Sequence, residues 1–375
     1  MKIGIIGCGR WGSFHAWYSA KIGHDVILYG RENSKNMQQL ETARANDYLK
    51  LPEDVRLTKN LAEVFDFAKI IIISVSSQSF RQVLRDIKSL NTDLSEKKFV
   101  LCMKGLESDT GKRLSVIFNE EINNESPLEH AGITNEKVEG VANILSENHT
   151  AEISGSITLK DDTENIAQIF STVEKSFRKN IPVAVWVGPG HVQDFVSNIP
   201  NCMVMSSADE NFTHEIVEIF KSPLIRFYYS SDLIGTEIGA AAKNVIGIAA
   251  GMLDGLNCSS LKGALMARGT AELSRLVESL GGDKMTVYGL SHLGDYEATL
   301  FSKHSRNRMF GESFVTHKNF NKLAEGVDTI GALMKLAEIT DVELPICKAV
   351  SKIIYDKQDP EEQLTQLFMR TMKAE

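Results

Sequence analysis

The chain has 375 residues, 43% of them hydrophobic and 24% charged, enough to bury large cores and to build about two or three domains of ordinary size. A net charge of −8 argues against a general nucleic-acid binder. Five scattered cysteines without a C-x-x-C pair, and nine histidines without an H-x-x-x-H pair, speak for a reducing compartment and leave a metal site unsupported.

In chain order, "KIGIIG" (2–7) predicts a buried strand, followed by a helix from about Trp11 to Ile22 and a strand at "DVILYG" (25–30). Between the first strand and its helix lies "GCGRWG", which places Gly7, Gly9 and Gly12 in the pattern G-x-G-x-x-G. In that strand-to-helix context the pattern predicts dinucleotide binding. Gly7 permits the tight turn, Gly9 lets a pyrophosphate approach the backbone, and Gly12 lets helix and strand pack closely, while the helix N-terminus offers free N–H donors. The second strand ends in "YGRE". Arg31 suits the extra phosphate of NADP, whereas an acid such as Glu32 suits the ribose of NAD, so the cofactor expected is NAD or NADP.

Further apolar runs at "AKIIIISV" (68–75), "KFVLCMKG" (98–105), "PVAVWVG" (182–188), "NCMVMSS" (201–207) and "IRFYYS" (225–230) continue the strand series. Short strands separated by helical segments predict an α/β fold, a parallel doubly wound sheet over residues 1–230. The polar block at about 122–180 interrupts the series. Ile166, Ile169, Phe170, Val173 and Phe177 share a helical face there, and Ile153, Ile157 and Leu159 share strand parity, which predicts a small folded excursion.

From residue 231 to 375 the patterning is helical throughout, as in "RGTAELSRLVESLGG", "TIGALMKLAEIT" and "PICKAVSKIIYDK", which predicts a second, all-helical domain. Its first helix, "LIGTEIGAAAKNVIGIAAG" (233–251), is built of small and apolar residues around Lys243. No acid lies three or four positions from that lysine, so local pairing is unavailable. On the helix alone, Lys243 reads as a solvent-facing side chain. Glu237, Lys243 and Asn244 interrupt the apolar run, so no integral membrane segment is expected, and the N-terminus lacks the apolar run of a secretory signal. A cytoplasmic protein is the default expectation.

With both regions in view, the chain resembles the NAD(P)-dependent glycerol-3-phosphate dehydrogenases. The motifs run in order through "GCGRWG", "MKGLE", "VGPG", "GAAAKNVIGIAAG", "LGDYEATLFSKHSRNRMFG" and "AEGVDT". The resemblance implies a Rossmann-type sheet followed by a helical domain, assembly as a homodimer, and reversible reduction of dihydroxyacetone phosphate, a small phosphorylated substrate, to sn-glycerol 3-phosphate. It implies Lys243 as the proton donor or acceptor, with Lys104 and Asp295 beside it. It further implies substrate contacts from Lys104, Gly188, Gly190, Asn244, Asp295 and Thr299, and from Ser305, Arg306 and Asn307. Cofactor contacts are implied for Gly7, Gly9, Arg10, Trp11 and Gly12, then Arg31, Lys104 and Val192, and finally Arg306, Leu323 and Glu325.

The residue types suit that chemistry. Hydride delivery to a ketone creates alkoxide character that an ammonium can stabilise and protonate, provided burial or a second cation lowers its pKa. Arg306 offers fixed geometry to a phosphate. If "SRNRMFGESF" opens a helix, its free N–H groups add to that site. The chain departs from the family pattern after "GP", where Gly190 and His191 replace the usual serine and aromatic, and in the block at 122–180. Two other readings remain: a reductase of the same fold acting on another phosphorylated or anionic ketone, and a non-catalytic nucleotide-sensing protein.

Overall fold

The computed structural model describes residues 1–124 and 180–371. The expected excursion within the 122–180 block therefore lies almost wholly outside the described residues. Eight strands form one sheet: β1 Lys2–Ile6, β2 Asp25–Tyr29, β3 Arg56–Thr58, β4 Ile70–Ile73, β5 Lys98–Leu101, β6 Val183–Val187, β7 Asn201–Ser206 and β8 Ile225–Ser230. Their order is β3-β2-β1-β4-β5-β6-β7-β8. The chain leaves β1 in one direction and returns to β4 on the other side. This places the switch point, and hence the crevice for a ligand, at the carboxyl ends of β1 and β4.

The strand-and-helix alternation predicts a parallel sheet, and the sheet is parallel at every strand pair but one. β6 and β7 pair antiparallel, Val185 with Ser206 and Val187 with Val204. The reason is local. The connection between them holds only the short helix Val192–Val196, about 7.5 Å long at the usual helical rise, too short to carry the chain back across the sheet. β3 has no counterpart in the sequence reading, since three residues are too few to show alternation.

Both faces of the sheet are covered. Phe14, Tyr18 and Trp186 anchor one buried layer, and Phe65, Phe80 and Phe99 the other. A third core lies among the helices that follow β8. At its centre runs the helix Leu233–Gly255, started by the Asp232 side chain, which accepts from the N–H of Gly235 at 2.9 Å. This helix is buried on nearly every side. Among the described residues it alone is long and apolar enough to cross a membrane, and 89% of its most apolar window is buried inside the fold.

Its small residues have a packing reason. The helix Arg306–Val315 crosses it at backbone contact. A Cβ on Gly251 would sit 1.9 Å from the carbonyl oxygen of Arg308, and one on Gly311 would sit 2.0 Å from that of Ile248. At the other end Glu237, buried on the same helix, ties it to the sheet layer. Its carboxylate accepts from Arg113 Nη1 (2.8 Å), the Ser115 N–H (2.9 Å) and the Ser115 hydroxyl (2.5 Å).

The two described ends of the 122–180 block meet. The Asn123 amide donates to the Ile181 carbonyl at 3.2 Å, and its oxygen accepts from the Ile181 N–H at 2.9 Å. Since the ends are already adjacent, closing them with a short linker costs little loop entropy. A variant with residues 125–179 replaced by a short Gly/Ser linker is expected to fold and retain turnover, with any loss appearing in thermal stability or oligomeric state. A folded, dimeric deletion variant without activity would show that the block contributes to the reaction.

Candidate active site

One continuous cleft of about 690 Å³ runs from the glycine loop to Lys243. Gly7, Gly9, Arg10, Trp11 and Arg31 line one end. Lys104, Gly190, Lys243, Asn244, Asp295 and Thr299 line the other, where Ser305, Arg306, Asn307, Leu323 and Glu325 complete the wall. Three expected residues lie outside the wall. Gly12 sits behind the loop, Val192 is fully buried in the core beneath it, and Gly188 acts from behind through its carbonyl.

The loop has the shape of a phosphate cradle. Gly7 has φ +110°, a conformation that glycine adopts without penalty, and a Cβ on Gly12 would sit 1.7 Å from the Gly7 carbonyl oxygen. Gly9, by contrast, has open space where a side chain would be. The helix Arg10–Lys21 starts there with no side chain capping its N–H groups.

At the far end, Asp295 is 1% exposed and its Oδ2 receives two ammonium groups, Lys243 Nζ at 2.5 Å and Lys104 Nζ at 2.8 Å. Lys243 also donates to Thr299 Oγ1 at 3.0 Å, and Lys104 to the Gly188 carbonyl at 2.6 Å, with its ammonium 5.5 Å from the Trp11 ring centre. Lys243 is 7% exposed, so its reading as a solvent-facing lysine is wrong. Its acidic partner comes from 52 residues away rather than from its own helix. Its pKa is lowered to about 8, by burial first and by the Lys104 charge, against the opposing pull of Asp295.

Arg306 opens its helix as expected, with the Ser305 side chain as N-cap accepting from the Arg308 N–H at 3.3 Å. Its guanidinium donates to the Tyr48 hydroxyl at 2.8 Å, and that of Arg10 donates to Gln193 Oε1 at 2.7 Å. Burial, followed by the positive charge of Arg306, lowers the pKa of Arg10. Asn307 is a strut as much as a wall residue. It donates to Asn244 Oδ1 (3.0 Å) and accepts from the Gly326 N–H (3.0 Å), while Asn244 donates to the Lys104 carbonyl (2.8 Å). Glu325, half-buried, has its carboxyl pKa raised by burial against the pull of Lys104, Lys243 and Arg306.

Gly190 has φ +130°, and a Cβ there would sit 2.6 Å from the Phe195 ring, so a serine does not fit this backbone. His191 lines the cleft beside it, and burial lowers its pKa. Arg10 Nε, His191 Nε2 and Asp295 Oδ1 are buried side-chain atoms without a protein partner, all three on the cleft. Buried polar atoms are nearly always paired, so such a cluster fits a ligand site. Among the described residues no group of His, Cys, Asp and Glu could hold a metal. Tyr48 and Gln193, which hold the two arginines, and the buried pair His292–Tyr296 beneath Asp295 carry no signal in the linear sequence.

A dinucleotide cradle on a switch-point sheet, opening onto two buried ammonium groups that share one carboxylate, defines a nicotinamide-dependent oxidoreductase of the Rossmann type. Two family models match the chain: "NAD-dependent glycerol-3-phosphate dehydrogenase N-terminus" over residues 2–136 and the corresponding "C-terminus" over residues 232–365. The chain belongs to the NAD-dependent glycerol-3-phosphate dehydrogenase family.

It is 30% identical over 386 aligned residues to a glycerol-3-phosphate dehydrogenase [NAD(P)+] of Clostridium botulinum, covering 100% of this chain and 99% of that one. It is 31% identical over 387 residues to one of Fusobacterium nucleatum, covering 100% and 98%. A crystal structure of glycerol-3-phosphate dehydrogenase from Coxiella burnetii shares the fold, with a TM-score of 0.77, 24% identity, and 98% and 99% of the two chains covered.

The open space at Gly9 gives a clean test of the cradle. Gly9→Val is expected to fold, because a Cβ at that position has no protein atom within 4 Å, yet to lose most NADH affinity by calorimetry. Unchanged affinity would place the pyrophosphate elsewhere.

Proposed function

We propose that the chain reduces dihydroxyacetone phosphate to sn-glycerol 3-phosphate reversibly, with Lys243 donating the proton in reduction and accepting it in oxidation. The observation that carries this reading is the buried Lys243 Nζ, 2.5 Å from Asp295 and sharing that carboxylate with Lys104, at the end of a cleft that begins at the glycine loop. Bound there, the dihydronicotinamide supplies the hydride that the ketone carbon takes up. The remaining work falls to the protein.

As negative charge builds on the ketone oxygen, the Lys243 ammonium stabilises it and gives up a proton from Nζ. Asp295 and Thr299 hold that ammonium in place. Lys104, held by Gly188, lowers its proton affinity and faces the junction of cofactor and substrate. Arg306 and the N-terminus of its helix take the substrate phosphate, with Ser305 and Asn307 beside it. Asn244 links that helix to Lys104. Where a serine's Cβ would sit at Gly190, the nearest polar atom is Asn201 Nδ2 at 3.5 Å, and His191 lines the cleft beside it.

On the cofactor side we assign the pyrophosphate to Gly7, Gly9, Arg10 and Trp11, with Gly12 shaping the loop behind. Arg31 lies at the ribose end, and Glu32 leans toward Lys59 at 4.0 Å, which leaves Arg31 to tolerate the NADP phosphate. Leu323 and Glu325 border the nicotinamide end, with Val192 beneath. We also propose a division of labour near residue 231, assembly as a homodimer in the cytoplasm, and delivery of the product to phospholipid metabolism. The five free cysteines and the exposed Ile339, Phe368 and Met369 on the helical layer are in keeping with this assignment. Retention of Lys104, Lys243 and Asp295 together disfavours a non-catalytic sensor. Oxidation of NADH or NADPH with dihydroxyacetone phosphate as acceptor tests the reaction directly.

Lys243→Ala is expected to bind NADH almost normally and to lose on the order of a hundred- to ten-thousand-fold in kcat. Lys243→Arg should rescue little, since guanidinium keeps its proton. Reduction needs the protonated lysine and oxidation the neutral one. With a pKa of about 8, kcat/KM for reduction should fall, and that for oxidation rise, as pH passes upward through that value. A folded Lys243→Ala variant within a few-fold of the parent would remove the lysine from the mechanism.

Arg306→Ala should chiefly raise KM for the phosphorylated ketone or lower kcat/KM, and it should free the Tyr48 hydroxyl. Unchanged kcat/KM in steady-state assays would count against a phosphate role.

A further inference from the structure

Asp295 is held by a structure of its own. It ends a short 3-10 turn, Leu293–Asp295, flanked by two buried side chains, His292 before it and Tyr296 after it, both 0% exposed. His292 Nδ1 lies 2.8 Å from the carbonyl oxygen of Gly239, and its Nε2 lies 2.6 Å from the Tyr296 hydroxyl. A carbonyl only accepts, so Nδ1 carries the ring proton, Nε2 is an acceptor, and the Tyr296 O–H donates to it. The neutral ring is thus held at both nitrogens.

The carbonyl that receives Nδ1–H lies one helical turn before Lys243. By the i to i−4 register of an α-helix, the same oxygen accepts the backbone N–H of residue 243. The imidazole therefore bridges the turn that carries the carboxylate and the turn that carries the ammonium. The helix is shaped to admit it. A Cβ on Gly239 would sit 3.1 Å from the Cβ of His292, so a larger residue there would press on the turn. Neither His292 nor Tyr296 lines the cleft.

We infer that His292 and Tyr296 form a positioning pair that holds the Asp295 carboxylate against Lys243 and so sets the rate of the chemical step without touching substrate. The inference rests on the proposed roles of Lys243 and Asp295. Burial lowers the His292 pKa to about 4, and the pair acts by geometry rather than by changing charge where Lys243 titrates. The charged and titratable groups acting on Lys243 are Asp295, Lys104, Glu325, His191 and His292. Of these, Asp295 is the one that raises its pKa most. If the turn loosens, that support weakens, the ammonium loses its proton more readily, and the alkaline limb of the reduction profile moves to lower pH.

The test compares Tyr296→Phe, His292→Leu and His292→Asn with the parent. The asparagine amide nitrogen takes the place of Nδ1 and can still donate to Gly239. Tyr296→Phe and His292→Leu are expected to lower kcat for reduction about ten- to a hundred-fold, the scale of a misplacement near 1 Å. KM for dihydroxyacetone phosphate and NADH affinity should stay within about two-fold, and the alkaline limb of kcat/KM should shift down by on the order of half a pH unit. His292→Asn should recover part of the lost kcat. If His292→Leu fails to fold, Tyr296→Phe, which deletes one oxygen, carries the test by itself.

A folded Tyr296→Phe with the parent's kcat and alkaline limb would overturn the inference, as would variants that only lower Tm. Lys243→Ala is assayed alongside. If it is inactive while Tyr296→Phe is unchanged, the positioning pair alone is refuted. If Lys243→Ala turns over normally, the reading of the site fails and the pair falls with it.

Discussion

One carboxylate oxygen joins the two halves of this molecule. Asp295 Oδ2 takes the ammonium of Lys104 from the loop after β5 and the ammonium of Lys243 from the central helix. Each of these charges is costly to bury alone, and removing one member of a buried pair costs about 3–5 kcal/mol. The three side chains therefore depend on one another, and their arrangement holds only while the sheet layer and the helical layer keep their relative position. The clasp of Glu237 on Arg113 and Ser115 and the chain Gly326–Asn307–Asn244–Lys104 keep that position from either side.

The sharing also tunes the chemistry. A single lysine against a single aspartate would be held protonated far above neutrality. Burial and a second ammonium on the same oxygen pull in the opposite direction and bring Lys243 to about 8, where it can both give and take a proton. The wider cleft repeats the pattern. The chain carries a net charge of −8, yet Arg10, Lys104, Lys243 and Arg306 converge on this space. An anionic protein with a cationic cleft keeps acidic macromolecules at a distance while drawing small anions to one place, which suits a substrate and a cofactor that both carry phosphate.

The small-residue helix shows how packing and chemistry share a sequence signal. Gly251, facing Gly311 on the crossing helix, lets the two backbones touch, and that contact delivers Ser305, Arg306 and Asn307 to the cleft beside Lys243. Larger residues at these two positions would force the helices apart and carry Ser305, Arg306 and Asn307 away from Lys243. The glycines that lower its intrinsic helix propensity are offset by this burial on nearly every side.

Much of this was legible in the sequence, and the limit has a physical cause. Seven of the eight strands among the described residues, the strand–glycine loop–helix unit and the helical second half follow from local periodicity, because each is an element that its own residues specify. The ordered motifs around Lys104, Lys243, Asp295 and Arg306 marked the family, and with it the chemistry. Local pattern did not reveal the three-residue β3, the antiparallel turn-back of β7 or the burial of Lys243. Each depends on what lies opposite in space. Lys243 has no acid within a helical turn, and nothing along the chain announces that residue 295 will arrive to meet it. The same holds for Tyr48 on Arg306 and for His292 on the Gly239 carbonyl. The sequence by itself determined most of the elements and the ordered motifs that mark the family. The tertiary structure alone decided which charges share an oxygen, because partners distant along the chain are chosen by how the layers pack.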